Sequence, residues 1–514
     1  MKWLLLSIVF LLTSVKSFSQ NDLDALRYSQ TGVGGNARFV SMGGAFGALG
    51  ANTSCLNFNP AGIGIYRKGE INISPGIRFT SVGSTYNNSQ NNNFTPSFIF
   101  SGLGLVGSWK GQISADVKHS VGISHSQLQN FNTNTTVQGY GNKKTIMNDI
   151  IDNAGSNSPA NLDPSYSGMA FNNYLLDTLN GKYYGFIDPN KNMLQTKSIT
   201  ATGHVDELAF GYTYSFKEKF YLGASLGVPL IKYDYNGVYT ESDDKDSLRI
   251  YKNASNVTTS TYSYAVWAYP SAPENAAVNN GLKGGFTSMS YTEKFQTNGS
   301  GYNLKLGFIY RVNEFLRVGA NYQTPTVLNL TDTYVYNMTA LWDSKDSYTQ
   351  SYPPKGGIFK YSIITPMRFG ASIGFIYKKL FVIGIDYENV DYGQASISGG
   401  DASNFTGVNK TISTKYKNAS NLRAGVEINI NNVMVRLGYV MNGSAFGNAF
   451  GGQFVRTSFS LGLGLRSKNW AFDLGLVRQM YNEDYYMYNP KFADKSIISF
   501  VGTTVVATIG LKFQ

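Results

Sequence analysis

The sequence predicts an all-β fold: a 14-stranded antiparallel transmembrane β-barrel whose lumen holds an N-terminal, partly helical hatch. Three observations predict this fold. Apolar and polar residues alternate along the chain after residue 70, short and long connections between the alternating segments follow each other regularly, and no long apolar run follows Gln20. The composition agrees, since 14% of the residues are aromatic, only 15% are charged and 55 are glycine.

Residues 1–19 are predicted to be a secretory signal peptide. Lys2 provides the positive start, residues 3–12 form the apolar stretch, and Ser17-Phe-Ser19 is a small-x-small cleavage site. The alternative, an N-terminal membrane helix, is disfavoured because the apolar run is shorter than the ~20 residues that a span needs. Cys55 is the only cysteine, which excludes an intramolecular disulfide and a metal site built from cysteines. Secretion without disulfides favours a bacterial envelope protein.

The net charge of +11 falls to +9 without Lys2 and Lys16. The basic residues are scattered among strands and turns rather than gathered in a run. We therefore expect them to contact anionic lipid and partners in the lumen, and we expect no nucleic-acid partner.

Alternation identifies the individual strands. At the C-terminus, Val505, Ile509 and Phe513 fall on one face, and Thr504 and Thr508 fall on the other. The same pattern predicts fourteen strands near residues 70–82, 96–109, 113–131, 204–216, 220–236, 299–310, 315–336, 357–377, 380–397, 414–430, 433–444, 455–466, 470–486 and 496–514.

The connections are tight after even-numbered strands and mostly longer after odd-numbered strands. The longest are predicted near 132–203 and 237–298, in segments rich in Asn, Ser, Thr, Gly and Tyr. This sorting is typical of outer-membrane barrels and is not expected of a soluble β-sandwich, the alternative fold. An even strand count places both termini on the short-turn, periplasmic side. Aromatic residues cluster beside the short turns, as at a membrane interface: Trp109, Phe216, Phe220, Tyr310, Phe315, Tyr377, Phe381, Trp470 and Phe513.

Residues 20–69 do not alternate and are predicted to form the hatch, followed by the barrel at 70–514. Short helices are expected at residues 22–29 and 37–42, separated by a Gly-rich stretch. Small residues would let the backbone pack closely in a confined lumen. The predicted hatch and gating residues are Gly43, Gly44, Asn59, Pro60, Ala61 and Gly62.

This N-terminal segment, with Gly35-Asn-Ala-Arg38, Met42-Gly-Gly-Ala45 and Asn59-Pro-Ala-Gly62, resembles the hatch of the FadL/TodX family of hydrophobic-compound transporters. Further matching segments follow in the family's order: Leu306-Gly-Phe-Ile-Tyr310, Arg317-Val-Gly-Ala-Asn-Tyr-Gln-Thr-Pro-Thr326, Thr365-Pro-Met-Arg368, Asp386-Tyr-Glu-Asn-Val-Asp-Tyr392, Arg423-Ala-Gly-Val-Glu427 and Arg436-Leu-Gly-Tyr439. The resemblance covers nearly the whole mature chain.

The resemblance implies passive uptake of hydrophobic molecules such as long-chain fatty acids, with release sideways into the membrane at a kink in the third strand. In this sequence Gly122 is the candidate for that kink, although a glycine that merely packs against an aromatic ring is an equal alternative. The two long loops exceed the family's minimal form, so the resemblance does not define the ligand.

Strand parity places a ladder of charges of both signs on the lumen face. We expect these residues to pair with one another and with the hatch, because isolated buried charges are costly. In the alternative, one or two of the cations bind a ligand carboxylate. The ladder comprises Lys305, Arg317, Arg368, Asp386, Glu388, Arg423, Glu427, Arg436, Arg466 and Asp473.

No catalytic constellation, metal site or cofactor is expected. Parity places His119 and His125 on the lipid face, and His204 is predicted to begin strand 4 near the extracellular rim. The sequence thus favours a monomeric, non-enzymatic transporter whose partners are a hydrophobic ligand and outer-membrane lipid. The alternative is a PorV-like shuttle that binds secreted proteins at its extracellular loops.

Overall fold

A computed structural model describes residues 22–513 apart from residues 113, 115, 180, 186, 188–191, 246–250, 253–257, 260–285, 343–346, 379, 400–404 and 448–454. The predicted signal peptide at residues 1–19 lies outside the described residues. In the described part of the chain, no helix is long and apolar enough to cross a membrane.

Fourteen antiparallel strands close into one barrel, because the first strand pairs with both the second and the last. The predicted fold class is therefore confirmed. The strands are β1 (Gly69–Tyr86), β2 (Ser89–Lys110), β3 (Val117–Asn130, continued by Thr133–Tyr140), β4 (Leu194–Phe216), β5 (Phe220–Ser242), β6 (Phe286–Arg311), β7 (Leu316–Gln323, continued by Val327–Trp342), β8 (Ser347–Ile364, continued by Arg368–Tyr377), β9 (Phe381–Asp391, continued by Ser396–Ser398), β10 (Asn418–Ile430), β11 (Val433–Asn442), β12 (Arg456–Arg466), β13 (Trp470–Tyr486) and β14 (Lys495–Phe513).

The hatch lies in the lumen and joins β1 at the short-turn rim. It contains α1 (Asp22–Ser29), α2 (Ala37–Ser41) and two 3₁₀ turns, Thr53–Asn57 and Pro60–Ile65. Asn36 caps α2, since its side chain accepts the N–H of Phe39 at 2.9 Å. The two helices begin where the sequence predicted them.

The wall has an apolar outer face and a polar inner face. On β12 the outward-pointing residues Phe459, Leu461, Leu463 and Leu465 are about half exposed, while Ser458 and Ser460 are buried. Exposed leucines in a closed barrel are stable only against lipid, so this belt is the membrane-facing surface.

The long-loop rim carries a cap. It consists of α3 (Ile146–Ala154), α4 (Ser167–Asn172), a hairpin of Leu176–Leu179 and Lys182–Gly185, and α5 (Thr406–Lys415), together with 3₁₀ turns at Pro159–Asn161 and Tyr392–Gln394. A two-residue pairing joins Tyr251–Lys252 to Thr258–Thr259. Ile146, Met147 and Ile150 of α3 are buried in the largest apolar cluster of this end.

Strand pairing extends further into the two longest connections than the alternation predicted. The connections span 141–193 and 243–285, rather than 132–203 and 237–298. Beyond the membrane both faces of a strand are polar, so these Thr- and Tyr-rich extensions lack the apolar alternation that identified the rest. His204 consequently lies in the middle of β4 and does not begin it, which corrects that prediction.

β7 and β8 are each interrupted where the sequence predicted continuous strands. The breaks at 324–326 and 365–367 contain Pro325 and Pro366. Proline has no N–H for the strand ladder, so each strand resumes only after the break.

Candidate functional site

Inward-facing glycines of the wall allow the hatch backbone to contact the barrel. A Cβ added at Gly307 would lie 2.0 Å from Oδ1 of Asn59, and one at Gly384 would lie 2.1 Å from the carbonyl oxygen of Ala45. Both distances are below any real Cβ contact, so a larger residue would push the hatch away. At four other wall glycines, an added Cβ would lie within 2.5 Å of a hatch backbone atom: Gly223, Gly319, Gly425 and Gly438.

Asn59 joins the hatch to two strands. Its Nδ2 donates to the carbonyl oxygen of Gly47 at 2.6 Å, and lies 3.3 Å from the carbonyl oxygens of both Phe308 on β6 and Ala320 on β7. Its Oδ1 accepts the N–H of Ala61 at 3.2 Å. The side chain is fully buried, so each of these bonds replaces one that water would otherwise make.

The rest of this motif continues the attachment. The carbonyl oxygen of Pro60 accepts the hydroxyl of Thr213 on β4 at 2.7 Å. Ala61 is fully buried against the wall, and the N–H of Gly62 donates to the carbonyl of Asn59 at 3.0 Å. The predicted hatch residues 59–62 therefore lie together on the β4–β7 side of the lumen.

Gly43 and Gly44 form the turn after α2. Their φ angles are +63° and +74°, in the left-handed region that favours glycine. A Cβ on Gly43 would lie 3.0 Å from the carbonyl oxygen of Tyr439, on β11. These residues face β11, on the opposite side of the hatch from Asn59.

One group of ladder charges clamps the hatch from the β10–β13 side. Arg38 of α2 donates from Nη2 to Oε1 of Glu427 at 2.8 Å and from Nε to Oε2 at 2.9 Å. Arg436, which is fully buried, bridges Glu427 at 2.6 Å and Asp473 at 2.8 Å, and Arg466 binds Asp473 at 2.8 Å. Bidentate pairing of this kind holds both partners in one orientation.

A second group lies beside the end of α1. Lys305 binds Glu207 at 2.6 Å, and both are almost completely buried. Glu388 receives Arg368 at 3.1 Å and Arg423 at 3.4 Å, and Arg368 also donates to the carbonyl oxygen of Ser29 in the hatch. Three cations therefore face two acids in this group.

The two remaining ladder residues bind hatch backbone directly. Asp386 accepts the N–H of Gly47 at 2.9 and 3.2 Å, and Nη1 of Arg317 donates to the carbonyl oxygen of Leu49 at 2.8 Å. All ten residues of the ladder lie inside the barrel, in contact with the hatch or with each other.

Two members of these networks were missed from the sequence. Arg38 lies in a segment that resembles the family's hatch. Residues 20–69 do not alternate, however, so strand parity could not predict which way the Arg38 side chain points. Glu207 shares parity with the inward residues of β4, so extending the parity argument to that strand would have found it.

The wall is interrupted between β2 and β3. Their ladder ends at the pair of Gly102 and Ser126. Beyond that pair β3 shifts register by one residue between Gln127 and Gln129, which makes Leu128 a bulge. Further along, no backbone ladder joins the two strands. They are connected through side chains, as where Oδ1 of Asn93 accepts the backbone N–H of Thr136 at 2.9 Å.

The hatch occupies this gap. The N–H of Gly32 donates to the carbonyl oxygen of Leu128 at 2.9 Å, and the hydroxyl of Ser101 on β2 donates to the carbonyl oxygen of Gly35 at 2.6 Å. Residues 32–35 thus bond to both strands where the strands no longer bond to each other.

Gly122 is not the irregular residue of β3, which corrects the prediction of a kink there. It lies in regular pairing between Val106 and Gly211. A Cβ on Gly122 would lie 3.1 Å from Cδ1 of Leu56, so the glycine makes room for the hatch.

A small cavity lies between the gap and the second charge group. Its volume is about 60 Å³, well below the ~300–1,000 Å³ of typical ligand pockets. It is lined by hatch residues, by Leu128 at the gap and by Lys305, Arg368 and Arg423.

The three histidines lie on the outer face of the wall. His119 stacks against Trp109 with ring centroids 5.9 Å apart, and His125 and His204 lie 3.0 and 3.6 Å from Oδ2 of Asp206. Among the described residues, no group of three or more His, Cys, Asp or Glu could hold a metal ion.

Glu241 anchors the cap at the long-loop rim. Its carboxylate accepts the hydroxyl of Thr145 at 2.9 Å and the N–H of Ile146 at 3.1 Å, both at the start of α3, and the side chains of Gln195 and Tyr239 at 3.2 Å. Burial raises the pKa of Glu241 to about 7, although these hydrogen bonds oppose the rise. In the described part of the chain no Lys or Arg forms an ion pair with it.

Replacing Glu427 by Gln should loosen the hatch. The change leaves Arg38 and Arg436 buried without their shared carboxylate, which should lower the free energy of unfolding by about 3–5 kcal/mol. Hydrogen exchange of residues 36–52 should accelerate. The matched control, Glu293→Gln, breaks the Lys197–Glu293 pair (2.6 Å), which does not touch the hatch, and should leave that exchange unchanged. Equal acceleration in both variants would contradict the clamp.

The cap should weaken as pH rises from 5 to 8. The folded-state pKa of Glu241 lies above its ordinary value of 4.5, so its stabilising contribution is complete below pH 4.5 and is lost through about pH 7. Proteolysis within residues 141–193, normalised to an unfolded peptide, should be faster at pH 8. Glu241→Gln should remove most of this dependence, whereas Asp152→Asn, an exposed cap residue paired with Lys491 at 2.7 Å, should retain it. A pH dependence that survives Glu241→Gln would refute the assignment.

Comparison with known proteins gives a structural match but no match by sequence: neither a protein-family model nor a curated protein matches the chain. A FadL homologue from Pseudomonas aeruginosa superposes with a TM-score of 0.53 at 12% identity, over 94% of this chain and 99% of that one. A mutant of the monoaromatic hydrocarbon channel TodX gives 0.50 at 13% identity, over 94% and 100%. The chain therefore has the fold of the FadL/TodX channels, and the resemblance found in its sequence is confirmed for the fold.

Proposed function

We propose that this protein is a passive channel of the bacterial outer membrane that carries hydrophobic small molecules, such as long-chain fatty acids or aromatic hydrocarbons, and releases them sideways into the membrane. The observation that carries the proposal is the gap between β2 and β3, with hatch residues 32–35 bonded to both of its edges. The short-turn rim and both termini are proposed to be periplasmic, and the capped rim extracellular.

The gap opens toward lipid. Phe94 and Phe98 of β2, beside the gap, point outward and are 64% and 72% exposed. A hydrophobic solute that leaves the lumen here would meet aromatic rings and acyl chains instead of water, so it would cross no polar barrier.

The hatch must move before a ligand can pass. The cavity behind the gap has a volume of about 60 Å³, which is too small for a long acyl chain or an aromatic hydrocarbon. Residues 32–35 are attached to the wall by few hydrogen bonds, each worth roughly 1 kcal/mol. The attachments on the far side, at Asn59 and Glu427, are more numerous. Movement is therefore proposed for the segment at the gap, while the rest of the hatch stays anchored.

The lining of the cavity supports an amphipathic ligand. Lys305, Arg368 and Arg423 line the cavity, and Nε of Arg423 has no hydrogen-bond partner among the described residues, so it would be free to donate to a ligand carboxylate. The shuttle alternative stays a prediction, and neither structural match reported above favours it.

The transport proposal is tested by stapling the gap. Asn93→Cys with Thr136→Cys would join β2 to β3 where their side chains already meet. In proteoliposomes, oxidation should slow uptake of a fluorescent long-chain fatty acid and of toluene several-fold, and reduction should restore it. The control pair, Ser458→Cys with Gln479→Cys, bridges strands that are already directly paired and should have no effect. Unchanged uptake in the oxidised variant would exclude lateral release; no uptake by the parent protein would exclude transport itself.

Gating is tested at Gly34. A Cβ there would lie 1.9 Å from the carbonyl oxygen of Gln127, a backbone atom that cannot turn aside. Gly34→Ala should therefore displace the hatch from the gap and raise basal leakage of small hydrophobic solutes. Gly107→Ala on β2 is the control, because a Cβ at Gly107 meets nothing within 4 Å. Equal leakage from the two variants would mean that the segment at the gap is no gate.

A further inference from the structure

A groove lies on the outside of the barrel, near the capped rim, and it has no role in the proposed transport path. Outward-facing residues of β4 to β8 line it, among them Thr200, Asp234, Lys294, Thr333 and Ile358. Its volume is about 590 Å³, within the ~300–1,000 Å³ range of small-molecule pockets.

An irregularity of β8 builds one side of the groove. Tyr336 pairs with Tyr352 and Tyr334 pairs with Gly357, so residues 353–356 have no partners on β7. Lys355 and Gly356 of this bulge border the groove, and Gly356 has a φ of +75°. Ile358, immediately after the bulge, is 70% exposed on the same face, which is an unusually open position for so apolar a side chain.

The groove lies above the end of the apolar belt. The outward residues of β5 are apolar from Phe220 to Leu230, and the next outward residue is Lys232. Eleven residues span about 36 Å along a strand, which at the usual tilt of about 45° gives the ~25 Å height of a membrane belt. On β5, Lys232 therefore begins the polar region above the belt. On β6 and β8 the outward residues in the row of Leu230, which are Ser300 and Ser362, are already polar.

Lysines surround the groove at this level. Lys294 and Lys355 line it. Lys232 and Lys360 flank it in one register row, since Lys232 pairs with Asn298, Asn298 with Thr331, and Thr331 with Lys360. Among the residues that the structure describes, Lys294, Lys355 and Lys360 form no ion pair or hydrogen bond through their ammonium groups. Of the described residues that line the groove, Asp234 is the only acid, and it lies 4.0 Å from Lys232.

We propose that this outer groove binds a phosphorylated, acylated lipid of the outer leaflet, with an acyl chain against Ile358 and the phosphate between Lys294 and Lys355. The lysines supply a net positive charge above the belt, where the phosphates of a lipid seated in the bilayer lie, and Ile358 offers an apolar contact beside them. The proposal does not rest on transport, because the groove and the lumen lie on opposite faces of the wall.

The test uses the purified full chain in detergent and bisphosphorylated lipid A as the probe, with its enzymatically dephosphorylated form as the comparison. Native mass spectrometry should show lipid A bound to the parent protein and much less of the dephosphorylated form. Lys294→Gln with Lys355→Gln should weaken binding roughly 30-fold, since each lysine near an anionic headgroup contributes about 1 kcal/mol. Ile358→Ser should also weaken binding, with all the lysines intact.

The control replaces two other exposed lysines with the same loss of charge, Lys217→Gln with Lys378→Gln at the short turns, and should bind like the parent. Thermal unfolding checks that every variant is folded. The proposal is overturned if the parent binds no lipid A, if the dephosphorylated form binds equally, or if the groove variants bind like the parent. It is also overturned if the control weakens binding as much, since that would show attraction by net charge alone.

Discussion

The hatch brings backbone N–H and C=O groups into the lumen of a closed barrel, and each buried group needs a hydrogen-bond partner there. Much of this structure follows from that requirement. Wall glycines such as Gly307 and Gly384 let the two backbones approach, and inward polar side chains such as Asp386 and Arg317 supply partners. The buried arginines bind acids because an unpaired charge in this space would cost several kcal/mol.

The same requirement explains why an opening in the wall can exist at all. Between β2 and β3 the strands stop pairing, and unpaired strand edges are unfavourable both in lipid and in a dry lumen. Here Gly32 and Gly35 of the hatch bond to β3 and β2 in place of the missing strand pairing. The hatch and the wall are therefore coupled: displacing this segment removes partners from both edges of the gap, and widening the gap removes partners from the hatch.

The two ends of the barrel are stabilised differently. Near the short turns, ion pairs and backbone contacts hold the hatch, whereas the other end is closed by an apolar cluster around α3 and the carboxyl group of Glu241. A ligand that enters from the capped end would first meet this cap, and only then the anchored hatch. On the outside, Lys294 and Lys355 lie beside the bulge of β8, above the apolar belt.

The sequence alone determined the architecture, because the period of apolar residues and the sorting of short and long connections are local properties. It also determined the direction of Lys305, Arg436 and the other ladder residues, since parity along a regular strand decides which face a side chain takes. It failed where that regularity fails. The strand extensions around Thr133–Tyr140 carry no apolar alternation, and the irregular point of β3 is Leu128 and not Gly122, because a bulge is decided by which segment packs beside the strand. Which charges pair, that Arg38 shares Glu427 with Arg436, and that residues 32–35 fill the gap were decided only by tertiary structure. These contacts join different strands and the hatch, and strand parity does not reveal which of them lie side by side; Arg38 and Glu427, for example, are 389 residues apart.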